Sequence, residues 1–203
     1  MHTSIRFAQK SHLNSGPFCR TARSAATAIL LTVPALGGCH QAKYEVVPGG
    51  QATLQLTSSS FRVGNIPKAY TCDGSDTSPQ LAWTAPPAAT KSLALIAIDP
   101  DAPQGTFVHW VLFDLPPMTQ SLPEGLPPQS QLPDGSRQGV NDFPKTGYGG
   151  PCPPRNSTHR YIFVLYAVDT KLNLPPGATR KQVEEALRGH VLAHGELIGR
   201  YGR

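Results

Sequence analysis

Two short stretches of this 203-residue chain bring together side chains that handle charge and protons. Asp99-Pro100-Asp101-Ala102-Pro103 leads into Val108-His109-Trp110, and Gly147-Tyr148-Gly149-Gly150-Pro151-Cys152-Pro153-Pro154 leads into His159-Arg160-Tyr161. In each, a Pro/Gly loop delivers a histidine to the start of an apolar run, as the two halves of one small polar pocket would require. Three chemistries fit these residue types. Protonated histidines supply N–H donors and positive charge to an oxyanion, and Gly149 and Gly150 let backbone amides approach it. Two histidines with a carboxylate could hold a metal, and a His–Asp pair could activate a nucleophile. Carboxylates beside an anion repel it unless Asp99 or Asp101 accepts from a histidine Nδ1–H, raising its pKa and turning Nε2 outward. A carboxyl that keeps its proton would serve as well. Plainer roles also exist: Asp99 and Asp101 as turn caps around Pro100, His109 as a satisfied core histidine, Tyr161 as core. His190 and His194 have i, i+4 spacing with no third ligand following, so no metal is expected there.

The elements that must position these groups are mostly strands. Ala52 to Thr57 alternates, and Ser92 to Ile98 is a continuous apolar run. Along Phe107 to Leu115, strict alternation puts Phe107, His109, Val111, Phe113 and Leu115 on one face, with Val108, Trp110, Leu112 and Asp114 on the other. The same period groups His159, Tyr161, Phe163 and Leu165 in the run to Val168. Apolar residues on both faces imply a sheet covered on both sides. One helix follows, opened by a Thr179/Gln182 capping box and stopped at Gly189, with room for another turn over His190 to Ala193. Gly195 to Tyr201 reads as a last strand, and Met118 to Phe143 as a long surface excursion.

The first 38 residues differ from the rest. They hold Arg6, Lys10, Arg20 and Arg23, no acidic residue, and an apolar run from Ala25 to Leu36 that suits a secretory signal better than a membrane span. The run ends in Leu36-Gly37-Gly38-Cys39, which resembles a bacterial lipobox, making Cys39 a lipidation site. His40 after it leans toward the outer membrane over the inner. The expected organisation is a signal over 1–38, a lipidated tether over 39–50 and one domain over 51–203. Four of 18 basic residues and none of 13 acidic ones precede Cys39, so the net +5 becomes +1 in the mature part. No basic cluster remains there, and nucleic acid is not an expected partner. Cys72 and Cys152 are then an even pair in an oxidising compartment, favouring a disulfide, with two free thiols the alternative.

Taken together, the two motif pairs, Thr71-Cys72-Asp73-Gly74 with Ser78-Pro79, and the run from Gly189-His190 to Tyr201-Gly202 resemble the phosphatidylethanolamine-binding protein family, in its bacterial Raf-kinase-inhibitor-like branch. The resemblance spans Leu54 to the C-terminus. It implies a mainly β sandwich of a large antiparallel sheet and a smaller sheet, with one or two C-terminal helices. It also implies an anion pocket lined by Asp99, Asp101, His109, Gly150, Cys152, Pro153, His159 and Tyr161. The function expected is non-enzymatic binding of a small phosphorylated or anionic ligand, without cofactor or metal. A protein partner could be regulated, and the membrane would be reached through the N-terminal lipid. A metal- or His/Asp-dependent hydrolase and a secreted protease-inhibitor-like protein working through the 118–143 loop are the alternatives. No Gly-x-Ser-x-Gly elbow is present for the former.

Overall fold

The computed structural model describes residues 44–50 and 52–203; the signal-like segment, Cys19 and the candidate lipidation site Cys39 lie outside them. Nine strands and one α-helix run in order among the described residues: β1 (Ala52–Thr53), β2 (Leu56–Thr57), β3 (Leu81–Trp83), β4 (Ser92–Asp99), β5 (Phe107–Leu115), β6 (Ser121–Leu122), β7 (Arg137–Gln138), β8 (Thr158–Val168), α1 (Arg180–Leu187) and β9 (Val191–Gly202). They form a six-stranded sheet, β1-β9-β8-β4-β5-β7, and a three-stranded sheet, β2-β3-β6. All pairs are antiparallel except the short β1–β9 edge. The large sheet is therefore mixed, antiparallel throughout its body with one parallel edge.

The central strands β4, β5 and β8 are rich in aliphatic and aromatic residues and are buried on both faces. On one face Leu93, Leu95, Trp110, Leu112, Tyr161, Phe163 and Leu165 pack against Leu81, Trp83 and Leu122 of the small sheet. On the other, Ile96, Val111, Phe113, Ile162, Val164 and Tyr166 are covered by Val183 and Leu187 of α1 and by Val47. Val47 is buried, and its N–H donates to the Tyr166 hydroxyl at 3.3 Å, so from Tyr44 onward the tether-like residues lie on this outer face. The Tyr44 hydroxyl donates to the Glu196 carboxylate.

Strict alternation fails along β5 because two residues bulge. Leu93 and Leu95 of β4 pair with Leu115 and Leu112, and Ala97 and Ile98 with Trp110 and Val108. Each shift inserts one extra residue on β5, Asp114 (φ 57°) at one end and His109 at the other. Consequently Trp110, Leu112 and Leu115 share the inter-sheet face, whereas Val108, Val111 and Phe113 face outward. His109 no longer belongs with Val111, and its ring lies 5.1 Å from that of Tyr161 in the same core as Trp110.

Three other expectations change. The Ala52–Thr57 alternation is split, because the chain leaves the large sheet after β1, Leu54 N–H donating to His194 O at 2.8 Å, and enters the small one at β2. The Thr179–Gln182 capping box forms as read, but Gly189 (φ 81°) ends the helical segment and His190–Ala193 leads into β9 instead of adding a turn. The 118–143 segment is more than a surface excursion. It supplies β6 and β7 and buries Ser136, Gln138 and Asn141; Gln138 accepts from Trp110 Nε1 at 2.8 Å and donates to Pro127 O and Gln129 O.

Candidate functional site

Where β4 ends and β5 and β8 begin, a pocket of about 320 Å³ opens. Asp99, Gln104, His109 and His159 provide its polar side chains; Phe107, Phe143, Pro103, Pro153 and Pro154 provide apolar walls. The sheet register explains the convergence. Asp99 pairs with Phe107, and Ile98 pairs with Ile162, so the histidine near the start of β8 and the bulged one near the start of β5 flank the end of β4.

Each imidazole is oriented by one acceptor. His109 Nδ1 lies 2.6 Å from Gly149 O; a carbonyl can only accept, so Nδ1 carries the proton. His159 Nδ1 lies 2.7 Å from Asp99 Oδ2. In the neutral rings both Nε2 atoms are bare acceptors, and neither has a protein partner among the described residues. Burial pushes the His109 pKa below the ordinary histidine range, outweighing the Gly149 carbonyl and the Asp99 charge. That direction favours the neutral ring, in which Nε2 accepts. The ring is further boxed in by Phe107, Phe143 and Tyr161 at 5.2, 5.5 and 5.1 Å between centroids.

Asp99 alone meets the requirement for a carboxylate that steadies a histidine. Its second oxygen accepts the Asp101 N–H at 2.8 Å, so of the two expected turn caps Asp99 is the one that forms. Asp101 points away from the pocket to Arg160, accepting from Nε (2.8 Å), Nη2 (2.5 Å) and the backbone N–H (2.9 Å). Arg160 holds the Asp101 carboxyl below its ordinary pKa. Among the described residues, no three His, Cys, Asp or Glu side chains group as a metal would need.

The glycine loop supports the rim but offers no amide from Gly149 or Gly150. Gly149 N–H donates to His109 O at 2.9 Å, and Gly150 N–H to Asp76 Oδ1 at 2.6 Å. The glycines serve close packing: a Cβ on Gly150 would meet Tyr70 O at 2.4 Å, and one on Gly149 would meet the Phe143 ring at 2.4 Å. Gly150 itself is not on the pocket wall, while Cys152 and Pro153 are. Cys72 and Cys152 form a disulfide with their Cα atoms 5.4 Å apart, tying this rim to the 71–76 turn. Tyr161 is core, 2 % exposed, behind the pocket. Its buried hydroxyl lies close to Asp99 and the Cys152 backbone without a well-aligned hydrogen bond to either, and burial followed by the Asp99 charge drives its pKa well above the phenol range.

Of the eight expected residues, Asp99, His109, Cys152, Pro153 and His159 meet at one pocket, whereas Asp101, Gly150 and Tyr161 support it from behind. Sequence reading missed the Phe107 and Phe143 walls and the role of Asp76. Phe107 was legible as a neighbour of His109 two residues earlier on its strand. Asp76, 74 residues from its glycine partner, left no local signal.

Residues 57–202 match the family profile described as Phosphatidylethanolamine-binding protein. The chain is 48% identical over 163 residues to the UPF0098 protein of Aquifex aeolicus, covering 79% of this chain and 95% of that one. It is 54% identical over 140 residues to the UPF0098 protein of Methanothermobacter thermautotrophicus, covering 69% and 92%. Among solved structures it is similar to E. coli YbcL, described as a new member of the mammalian PEBP family. The TM-score is 0.69 and the identity 32%, over 75% of this chain and 99% of that one. A phosphatidylethanolamine-binding protein homologue of Chlamydia trachomatis matches with a TM-score of 0.67 and 39% identity, over 74% and 98%. A shared fold, a profile over most of the chain and relatives near half identity agree: the chain belongs to the phosphatidylethanolamine-binding protein family.

Proposed function

We propose that this protein binds, without altering it, a small phosphate-type oxyanion that enters together with a proton. The observation that carries the reading is the pairing of His109 and His159 on one pocket, each with Nδ1 spent on a protein acceptor. No lysine or arginine lines that pocket, and Asp99 is already there. A fully ionised phosphate would meet a carboxylate and two lone pairs. A proton resolves this, either on the ligand oxygen, donated to His109 Nε2, or on His159 Nε2, facing the ligand with Asp99 behind it. The apolar walls suit the organic substituent of a phosphoester. A lipid headgroup is one source of such a group, a phosphorylated protein segment another.

Hydrolysis is the less supported reading. Asp99 holds a ring with one oxygen and a turn with the other, and Cys152, the lining cysteine, is tied up in the disulfide. The Raf-kinase-inhibitor-like label, a regulated protein partner and envelope anchoring through Cys39 belong to the same proposal. The anchoring rests on the charge and apolar pattern before Cys39 and implies the periplasmic side or cell surface. A partner at that location would be an envelope protein.

Calorimetric titration with phenyl phosphate tests the binding reading. Saturable binding should weaken by about tenfold or more in His159→Ala and in His109→Ala, and phosphorus NMR should recover the ester intact. Undiminished binding in both variants, or release of inorganic phosphate, contradicts the reading.

A further inference from the structure

The hairpin Arg62–Asn65 stands apart from the pocket and makes no contribution to it. Arg62 and Asn65 exchange both backbone hydrogen bonds, at 3.0 and 2.9 Å, around the two central residues Val63 and Gly64. Both have positive φ, 50° and 76°, which is the tight primed turn whose first central position ordinarily carries Asn, Asp or Gly. A β-branched valine is among the worst choices there, and it is fully exposed. A Cβ placed on Gly64 would meet nothing within 4 Å, so the apex projects into open solvent.

The fold enforces this position. Phe61 packs on Phe163 with ring centroids 5.6 Å apart, and Ile66 is buried. Both lie over Gly199, where a Cβ would come within 2.5 Å of Ile66 and 3.0 Å of Phe61. Ile66 N–H donates to Arg200 O, and Arg200 N–H donates to Gly64 O, at 2.9 and 2.8 Å. A strained apolar residue is thus held rigidly outward, with no contact inside the molecule to compensate it. Arg62 precedes the apex and Arg200 is bonded through its backbone to Gly64; both are exposed and neither is in an ion pair among the described residues.

We infer that the Val63 apex is a docking point for an anionic lipid surface, with valine entering the headgroup boundary and Arg62 and Arg200 meeting the phosphates. The two arginines give the tip the charge complement of an anionic bilayer, whose boundary a single projecting apolar side chain can enter without a preformed cavity. Cations beside an inserted apolar group are the usual makings of interfacial binding.

The test is sedimentation of the expected mature chain, residues 39–203 with Cys39→Ser, with vesicles of phosphatidylcholine alone and with phosphatidylglycerol, so that the basic, apolar leader does not mask the hairpin. The parent should bind the anionic vesicles, and added salt should weaken binding. Val63→Asn should reduce partitioning by about tenfold while keeping or raising Tm, because asparagine tolerates the turn. Val63→Leu should retain binding, and Arg62→Glu with Arg200→Glu should abolish the preference for anionic vesicles. Parent-like binding by Val63→Asn, equal binding to neutral vesicles, or binding only to a polyglutamate peptide overturns the inference. Phenyl phosphate affinity should be unchanged in every hairpin variant, which separates failure here from failure of the pocket assignment.

Discussion

Asp99 and Asp101 sit two residues apart and act on different sides of the sheet end. Their spacing marked both as candidates, but only the structure distributes the roles: Asp99 to His159 and the turn, Asp101 to Arg160. The adjacent Arg160 was legible as part of a motif but carried no local sign that it would claim one of the two carboxylates. Asp101→Ala should lower stability at neutral pH by about 1 kcal/mol, since the pair is only partly shielded from water, and leave anion affinity within about twofold of the parent. The sign with pH follows from the depressed pKa of Asp101. Its contribution is present above the ordinary carboxylate pKa and disappears as pH falls through the lower folded value. Denaturant titrations of parent and variant should therefore converge in strong acid; a difference that persists there would place the effect elsewhere.

At the scale of elements, the apolar run of β4 and the period-two pattern of β5 and β8 located these strands to within two residues, because long runs of buried aliphatic and aromatic side chains leave little freedom. Strict alternation misassigned faces on β5 because a bulge adds a residue without changing the composition around it. The bulge at His109 shapes the pocket, since it takes His109 out of the alternation and into the company of Tyr161. The start of β9 was misread because His190–Ala193 suits either a helix or a strand, and pairing with β8 decides. The Cys72–Cys152 bridge joins two turns separated by 80 residues. Replacing both cysteines with serine should cost about 2–4 kcal/mol in denaturant unfolding. An unchanged midpoint would mean that Asp76, through Gly150 and Lys145, holds the rim alone.

For the whole molecule, apolar residues on both strand faces correctly announced a sheet covered twice, by a second sheet and by α1 with Val47. Tertiary pairing over long sequence distances stayed hidden, above all in the 118–143 segment, whose polar composition gave no hint of the buried Gln138 and Asn141 networks. The pocket itself was half legible. Its histidines and Asp99 stood in the motifs, but the commitment of the Gly149 and Gly150 amides and the lowered pKa of His109 depend on neighbours far along the chain. On the proposed function, these features replace a cationic grip by one that needs an added proton. Calorimetric titration of phenyl phosphate at pH ~7.5, repeated in buffers of different ionisation enthalpy, measures that proton directly. The ligand is then almost wholly a dianion, so the account predicts uptake of about one proton per molecule bound, falling toward zero near pH ~5. Binding at the higher pH with no proton exchanged would contradict it.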